Sequence, residues 1–556
     1  MPGLATTAPA IVVLGASAID TARRIQRVYP GAQVHGLRGR AVEADRPYDN
    51  FGEHLRDLYR ANTPIIALCA AGIVIRSLAP VLGDKDNEPP VLVVGEDGSA
   101  VVPLLGGLAG VNRMAREIAA ALEVSPAITT SGELRFGACL LSPPPGYVLA
   151  DLEQGKRFVS DLLAGAPVRV EGPAPWLDEL SLPLDPQAKH RVSVSPLRQD
   201  DACTLSIHPR LIAIHVERVG PELDTEVQQL IDESSFSPHS LACLIAPLHL
   251  MSSTELQHVA SQLGLPIRYS DDTTQLPPQH SRSQHARLLL ADEPIDIKQI
   301  GQPRGSLTVI GLGPGAPEFM VPAARQALDE AQDLLGYETY IKMAGPLRPG
   351  QVSHSSDNRE ELQRAAHAFE LAASGRRVVV ISSGDPGVFA MAAAVLEALH
   401  ASSDPRWHAV DLQVLPGVSA ALATAAKAGA PLGHDFCMLS LSDNLKPWTL
   451  IEKRLEHAAA ADLVMAFYNP ISKARPWQLG RALEILRHYR KPETLVVLGR
   501  DIGRPAEALT VTRLGDLTPE QVDMRTLVII GSSQTCRFAK PDGGDWVYTP
   551  RSYPAD

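Results

Sequence analysis

A multidomain α/β protein is the fold class this sequence predicts, and three observations carry the prediction. The chain has 556 residues, too many for one hydrophobic core. Short apolar runs alternate with helical spacing along most of its length. Between residues 307 and 533 the apolar runs end, one after another, in turns of glycine, proline and serine. Composition agrees, since 45% hydrophobic and 21% charged residues are ordinary for a globular protein. A net charge of -12 and 5% aromatic residues argue against a nucleic-acid binder, which needs phosphate neutralisation and stacking platforms. Cys69, Cys139, Cys203, Cys243, Cys437 and Cys536 form no C-x-x-C pair, so reduced thiols in a cytoplasmic protein are expected rather than zinc or redox chemistry. The start of the chain lacks a basic segment and no apolar run nears about 18 residues, so neither a signal peptide nor a membrane span is expected.

The elements follow in order. Residues 10–15 read as a buried strand ending in a turn, and 17–29 as a helix. A strand at 65–69 leads through Ala70-Ala71-Gly72 into an apolar stretch. A second strand at 91–94 turns at Glu96-Asp97-Gly98-Ser99 into 100–105, a hairpin signal. Residues 112–122 have helical spacing, which completes an α/β domain at 1–140. The prolines of 141–205 are expected to break any long element. Strand and helix signals return at 206–270 as a small α/β module, and 271–304, rich in Pro, Gln, Ser and His, reads as a linker.

From 305 to 545 the chain reads as one further region. Gly311, Gly313 and Gly315 let the backbone turn sharply after the strand 307–310, and Pro322 suits the first turn of a helix over 321–334. Pro314 and the absent last glycine exclude a dinucleotide fingerprint. The strand 378–383 runs into Gly384-Asp385-Pro386-Gly387, where Asp385 can cap a helix over 388–399 with Pro386 at its first position. The same turn can equally offer backbone groups of Ser383 and Gly384 to a ligand. Pro416-Gly417-Val418-Ser419-Ala420 opens an Ala-rich helix whose small residues allow close approach. The most individual stretch is Phe467-Tyr468-Asn469-Pro470-Ile471-Ser472-Lys473-Ala474-Arg475-Pro476-Trp477. Its two cations are either a solvated helix start or partners for substrate carboxylates, Arg475 by bidentate pairing. Residues 498–507 and a closing strand at 527–533 end the series. No Ser-His-Asp or metal-ligand constellation is present.

These motifs, in this order, resemble the tetrapyrrole (corrin/porphyrin) methyltransferases over about residues 305–540. The Tyr-Asn-Pro stretch resembles most the precorrin-3B C17-methyltransferases of cobalamin biosynthesis. The resemblance implies two small α/β domains with S-adenosylmethionine in the cleft between them. It implies cofactor contacts at Pro314, Ser383, Gly384, Asp385, Val388, Ser419, Ala420, Tyr468 and Asn469. Lys473 and Arg475 would face substrate, and Asp385 is the candidate for proton handling during ring contraction. A homodimer is also implied.

Residues 55–135 resemble the cobalamin-biosynthesis G-type protein, a cobalt-precorrin-5A lactone hydrolase, at Gly72, Arg76, Pro80, Asp84, Lys85 and Asn112. The polar pair of that family is missing, because Gly106 and Leu108 stand at its serine and histidine positions. Leucine cannot act as the acid or base that histidine supplies. Residues 211–270 depart further from that protein's C-terminal domain. The expectation is therefore a fusion. Its N-terminal half binds or channels the macrocycle, through Arg76 and Lys85, or contacts neighbouring pathway enzymes. Its C-terminal half methylates precorrin-3B at C17, with a lean towards the oxygen-dependent, cobalt-free pathway. The alternatives are a bifunctional chain with lactone hydrolase activity, methylation of another corrin position, and a non-catalytic corrin-binding scaffold.

Overall fold

Among the described residues the apolar runs assemble into six β-sheets. A computed structural model describes residues 8–83, 88–199, 201, 203–274, 276–348, 350–356, 360–472, 475–541 and 543–553. The chain divides into two compact units, Met1–Arg304 with Pro346–Gln351, and Gly305–Gly345 with Val352–Asp556.

The first unit holds three sheets. Strands Arg46–Tyr48, Gln33–Leu37, Ala10–Val13, Ile65–Leu68, Val91–Val94 and Val101–Leu105 lie side by side in that order. All pairs are parallel except the last, an antiparallel hairpin. Its turn is held by Asp97, whose Oδ1 accepts from the Ser99 amide at 3.0 Å. The four-residue strands are buried throughout, as continuous apolar runs covered on both faces should be.

The proline-rich stretch departs from expectation. Tyr147–Leu149, Thr204–Pro209, His190–Val194 and Val168–Glu171 form a four-stranded sheet, packed against the 12-residue helix Leu152–Leu163. Asp151 caps that helix by accepting from the Gln154 amide. Most of the prolines sit where elements begin or end: Pro167 precedes a strand, Pro175 starts a short helix, and Pro196 follows a strand. At such positions a missing N–H breaks no ladder.

The expected linker is also corrected. Gln279–Arg282 and Ala286–Leu290 form a hairpin whose second strand pairs antiparallel with Ile212–Val216. The short run Ala-Arg-Leu-Leu-Leu supplies enough buried surface to recruit this segment into the third sheet, and polar composition around it hid the signal.

The second unit has two lobes. In the first, Val352–Ser356, Asp333–Tyr337, Arg377–Ser382, Ser306–Gly311 and Asp411–Val414 form an all-parallel sheet. Phe369, fully buried and stacked on Trp407 at 5.2 Å, anchors a core of small and branched side chains. The helix expected over 321–334 is shorter, Pro322–Glu330, because Ala331 leaves it extended and Asp333 begins a strand. In the second lobe, Phe436–Ser440, Val464–Tyr468, Thr526–Ile530, Leu495–Arg500 and Ala508–Arg513 are neighbours in that order. The segment read as a closing strand is thus central, paired antiparallel on both sides. The Ala-rich helix Ala420–Ala428 lies close on this sheet: a Cβ at Gly499 would stand 2.4 Å from Thr424. A small sheet of Gly429–Ala430, Asp545–Tyr548 and Cys536–Ala539 completes the lobe.

Candidate functional site

In the second unit, the first lobe's parallel strands all point their carboxyl ends one way, and three of the five glycine-rich or small-residue turns leave from there. Each turn is tied to the next. Gly313 and Gly384 exchange two backbone hydrogen bonds, the Gly384 amide donating to Gly313 at 2.8 Å and the Gly313 amide returning at 3.2 Å. Both glycines have left-handed φ, +72° and +69°, a conformation that favours residues without a Cβ. The packing is tight. A Cβ at Gly311 would lie 2.1 Å from the Gly384 carbonyl oxygen, and one at Gly417 would lie 2.4 Å from the same atom.

Asp385 joins the second turn to the third. Its Oδ1 accepts from the Gly387 amide and its Oδ2 from the Gly417 amide, both at 2.8 Å. Sequence reading expected Asp385 to cap a helix beginning at 388. The helix begins instead at Met391, because Phe389 adopts φ +54° and interrupts the run. A carboxylate whose two oxygens both hold backbone N–H groups acts as a clip between loops. Ser383 and Val388 flank this clip half-buried, and Phe389 is 52% exposed. A bulky residue at positive φ is costly and persists where the surroundings over-determine it.

The third turn crosses to the second lobe. Ser419 is buried and caps the helix Ala420–Ala428, its Oγ accepting from the Leu422 amide at 3.3 Å. Tyr468, at the end of its strand, accepts from the Ala421 amide at 3.0 Å. Burial raises the Tyr468 phenol above its ordinary pKa, against the lowering effect of Ser419 and the Ala421 amide, so the group is neutral near pH 7. Its ring lies 5.3 Å from that of Phe389, one aromatic from each lobe. Asn469 stands at φ +50° and donates from Nδ2 to Ser440 Oγ at 3.1 Å. Pro314, Ser383, Gly384, Asp385, Val388, Ser419, Ala420, Tyr468 and Asn469 are therefore gathered along one tethered series of loops.

Arg475 lies further along the same strand end. Its Nη1 donates to Ser442 Oγ, Asp443 Oδ1 and Asn444 Oδ1 at 2.7, 3.1 and 2.9 Å. Gln478, buried, donates to the same Asp443 oxygen. Asp443 thus pairs with one nitrogen, Nη1, of the guanidinium that sequence reading offered to a substrate. Lys473 lies outside the described residues, as does Lys85 in the first unit.

The first unit brings its matching residues to other tasks. Arg76 is exposed on the helix Ala71–Leu78. Asn112 is buried and donates to Thr130 Oγ1 at 3.1 Å and Glu133 Oε1 at 2.6 Å, while Glu133 pairs with Arg116. Gly106 has φ +81°, and a Cβ there would stand 2.6 Å from the Pro89 carbonyl oxygen. A serine at this position, as in the resembling family, would require Pro89-Pro90 to move. Elsewhere in the unit a cavity of about 400 Å³ opens beside the starts of helices Leu223–Glu233 and Thr254–Leu263. Asp224 and Glu255 occupy those first turns and already supply the negative charge the helix ends favour.

Sequence reasoning missed Arg504, Asp501 and Phe389. Arg504 was visible within the motif of residues 498–507, but its bond to Pro314 depends on a contact across 190 positions of chain. Among the described residues no cluster of three or more His, Cys, Asp or Glu side chains could hold a metal, and no helix is long and apolar enough to cross a membrane.

Residues 306–518 match the family of tetrapyrrole (corrin/porphyrin) methylases, and residues 53–133 match the N-terminal family of cobalamin synthesis protein G. The chain is 52% identical over 250 residues to a precorrin-3B C(17)-methyltransferase of Sinorhizobium sp, covering 45% of this chain and 97% of the relative. It is 49% identical over 254 residues to cobalamin biosynthesis protein CobIJ of Mycobacterium tuberculosis, 45% of this chain but about half, 49%, of that protein. A probable cobalt-factor III C(17)-methyltransferase of Salmonella typhimurium is 40% identical over 247 residues, 44% of this chain and 99% of that one. The crystal structure of the methyltransferase CobJ aligns at 53% identity and a TM-score of 0.42, over 44% of this chain and all of the other. The chain belongs, through its C-terminal half, to the tetrapyrrole (corrin/porphyrin) methylases, with the match to the cobalamin synthesis G N-terminal family at residues 53–133 lying ahead of that half.

Proposed function

We propose that the second unit transfers the methyl group of S-adenosylmethionine to C17 of precorrin-3B, with ring contraction to precorrin-4, in cobalamin biosynthesis. The observation that carries this reading is the ring of loops built around Gly313, Gly384, Asp385, Gly417 and Tyr468, in a chain half that matches a precorrin-3B C(17)-methyltransferase over 97% of its length. The identity is higher to that relative than to the cobalt-factor III enzyme, which favours a cobalt-free substrate.

The residues present fit the donor. Its amino acid, ribose and adenine need backbone donors and acceptors in close approach, and its sulfonium must not meet a cation. The turns offer backbone groups and small side chains, and the carboxylate among them is occupied by Gly387 and Gly417. When bound, S-adenosylmethionine supplies an electrophilic methyl group, and an electron-rich pyrrole carbon needs little activation to accept it. The protein's part is then orientation and exclusion of water. Pro314, Ser383, Gly384, Val388, Ser419, Ala420, Tyr468 and Asn469 hold the donor, with Asp385 setting the loop geometry. Lys473 and Arg475 pair with substrate carboxylates, Arg475 from a guanidinium already fixed by residues 442–444. The protein acts as a homodimer.

We further propose that residues 1–140 are a domain that binds or channels the macrocycle through Arg76 and Lys85, with the catalytic region at 305–545. The Gly106 and Leu108 substitutions weigh against lactone hydrolysis there.

The test supplies full-length protein with methyl-labelled S-adenosylmethionine and precorrin-3B, and reads the product by mass spectrometry and NMR. Label at C17 of a contracted ring supports the reading. Label at another carbon, or tight tetrapyrrole binding without transfer, overturns it.

A further inference from the structure

We propose that Arg504 is a positioning residue for the methyl donor, a latch from the second lobe that holds the Gly311–Gly315 turn of the first lobe in its binding shape. The proposal rests on the functional reading above.

The turn needs an external support. Gly313 and Gly315 have φ of +72° and +150°, and glycine-rich loops lose more conformational freedom than any others when they are ordered. The first lobe supplies one side of that support, through the paired backbone bonds to Gly384. The other side comes from the second lobe. Arg504 Nε donates to the Pro314 carbonyl at 3.2 Å. A Cβ at Gly315 would lie 2.7 Å from Arg504 Cγ, and a Cβ at Gly503 would lie 3.1 Å from Pro314 Cγ. The two turns therefore touch along their length, and glycine is needed on both.

The latch is itself fixed at its base. The Gly503 amide donates to Glu507 Oε2 at 3.0 Å, and Glu507 pairs with Lys427 on the Ala-rich helix at 2.7 Å. The Arg504 amide donates to the Asp501 carbonyl at 2.9 Å. The Asp501 side chain is 3% exposed and its backbone sits at φ +50°. Arg500 and Arg525 approach its Oδ2 at 3.3 Å each, and both also approach Asp523, at 2.9 and 3.8 Å. Arg504 Nη1 is farther from Asp501, at 3.9 Å. Three guanidiniums share two carboxylates, and the one held least closely by them is the one that reaches across the cleft. A charge-assisted bond to a carbonyl in a half-buried setting is among the stronger single hydrogen bonds, and here it holds the turn before the donor arrives.

The experiment compares Arg504→Ala and Arg504→Lys with the unsubstituted full chain. Titration calorimetry with S-adenosylmethionine and with precorrin-3B gives the two affinities, steady-state kinetics separate KM from kcat, and amide hydrogen exchange follows residues 311–320 without any ligand. The expected result for Arg504→Ala is an affinity for S-adenosylmethionine about tenfold weaker, matching the loss of one such bond, with its KM raised in step. Precorrin-3B affinity stays within about twofold, exchange over 311–320 accelerates, and Arg504→Lys recovers part of the loss. Unchanged donor affinity and unchanged exchange overturn the proposal, as does an equal loss for both ligands. If the unsubstituted chain binds no S-adenosylmethionine, the functional reading falls and the proposal with it. If it binds and Arg504→Ala binds equally well, the proposal falls alone.

Discussion

The six-stranded sheet of the first unit and the parallel sheet of the second are built alike and end differently. Both carry short, buried strands whose carboxyl ends release small-residue turns. Around the strands of the first, polar side chains find partners close by: Tyr48 donates to the Val13 backbone carbonyl, Ser17 to Glu96, and His35 meets His54 at 2.7 Å. In the second, the turns are tied mainly through backbone groups and one carboxylate. Turns held by each other through backbone groups suit the binding proposed for the second sheet, and turns whose polar groups are already occupied do not. Architecture alone does not decide it.

Glycine substitution breaks the comparison most sharply. Gly417→Ala places a Cβ 2.4 Å from the Gly384 carbonyl and should lower methyl transfer by more than about 100-fold, because misplacing a reacting group by an ångström costs about that much. Gly107→Ala in the first unit meets nothing within 4 Å and should leave thermal stability and transfer unchanged. Comparable losses from both would mean that the turns of the two units are equally constrained.

Restoring the missing polar pair sharpens the contrast from the other side. Gly106→Ser combined with Leu108→His should destabilise the first unit by about 1–3 kcal/mol, from positive φ and the clash with Pro89. Calorimetric unfolding reads that loss. Acetaldehyde release from a lactone-bearing corrin by this variant would instead establish a hydrolase scaffold.

Acid should find the first unit through its histidine pair. Burial first, then His54 and Arg46, lower His35 to about 3; burial and Arg46, against the opposing charge of Asp57, lower His54 to about 4. Below pH 6.5 the unfolded imidazoles bind protons that the folded ones refuse, so stability is full above that pH and falls as pH drops towards 4. The loss for His35 is on the order of 2 kcal/mol by pH 5. His54→Gln should flatten this slope in denaturant titrations between pH 7 and 5. An unaltered slope would place the acid sensitivity elsewhere.

The smallest expected effect separates clip from catalyst. Asp385→Asn exchanges one acceptor oxygen for an amide, so it loses one of two loop bonds. It should weaken S-adenosylmethionine binding about tenfold while the shape of the pH–rate profile stays as it was. A profile that loses one limb, with donor affinity kept, would restore Asp385 as the acid or base.

Legibility in the sequence followed the range of the interaction. The strands at 307–310 and 378–383 and the turns after them were plain, because an apolar run and a glycine are local signals. The sheet within 141–205 was not, since prolines that mark its element boundaries look the same in sequence as prolines that forbid elements. The hairpin at 279–290 was hidden for a related reason. Its one apolar strand is five residues long, and pairing with the distant Ile212–Val216 is what brings it into the sheet.

By itself, then, the sequence determined the alternation of strands and helices, the glycine turns that need φ above zero, and the motif order that marks the methylase half. Tertiary structure alone decided that Thr526–Ile530 sits in the middle of its sheet, that Asp385 clips Gly417 instead of capping a helix, and that Arg504 reaches Pro314. The reason is physical. Propensity and periodicity act within a few residues, whereas a side chain's partner is set by which distant segments the buried apolar faces bring together.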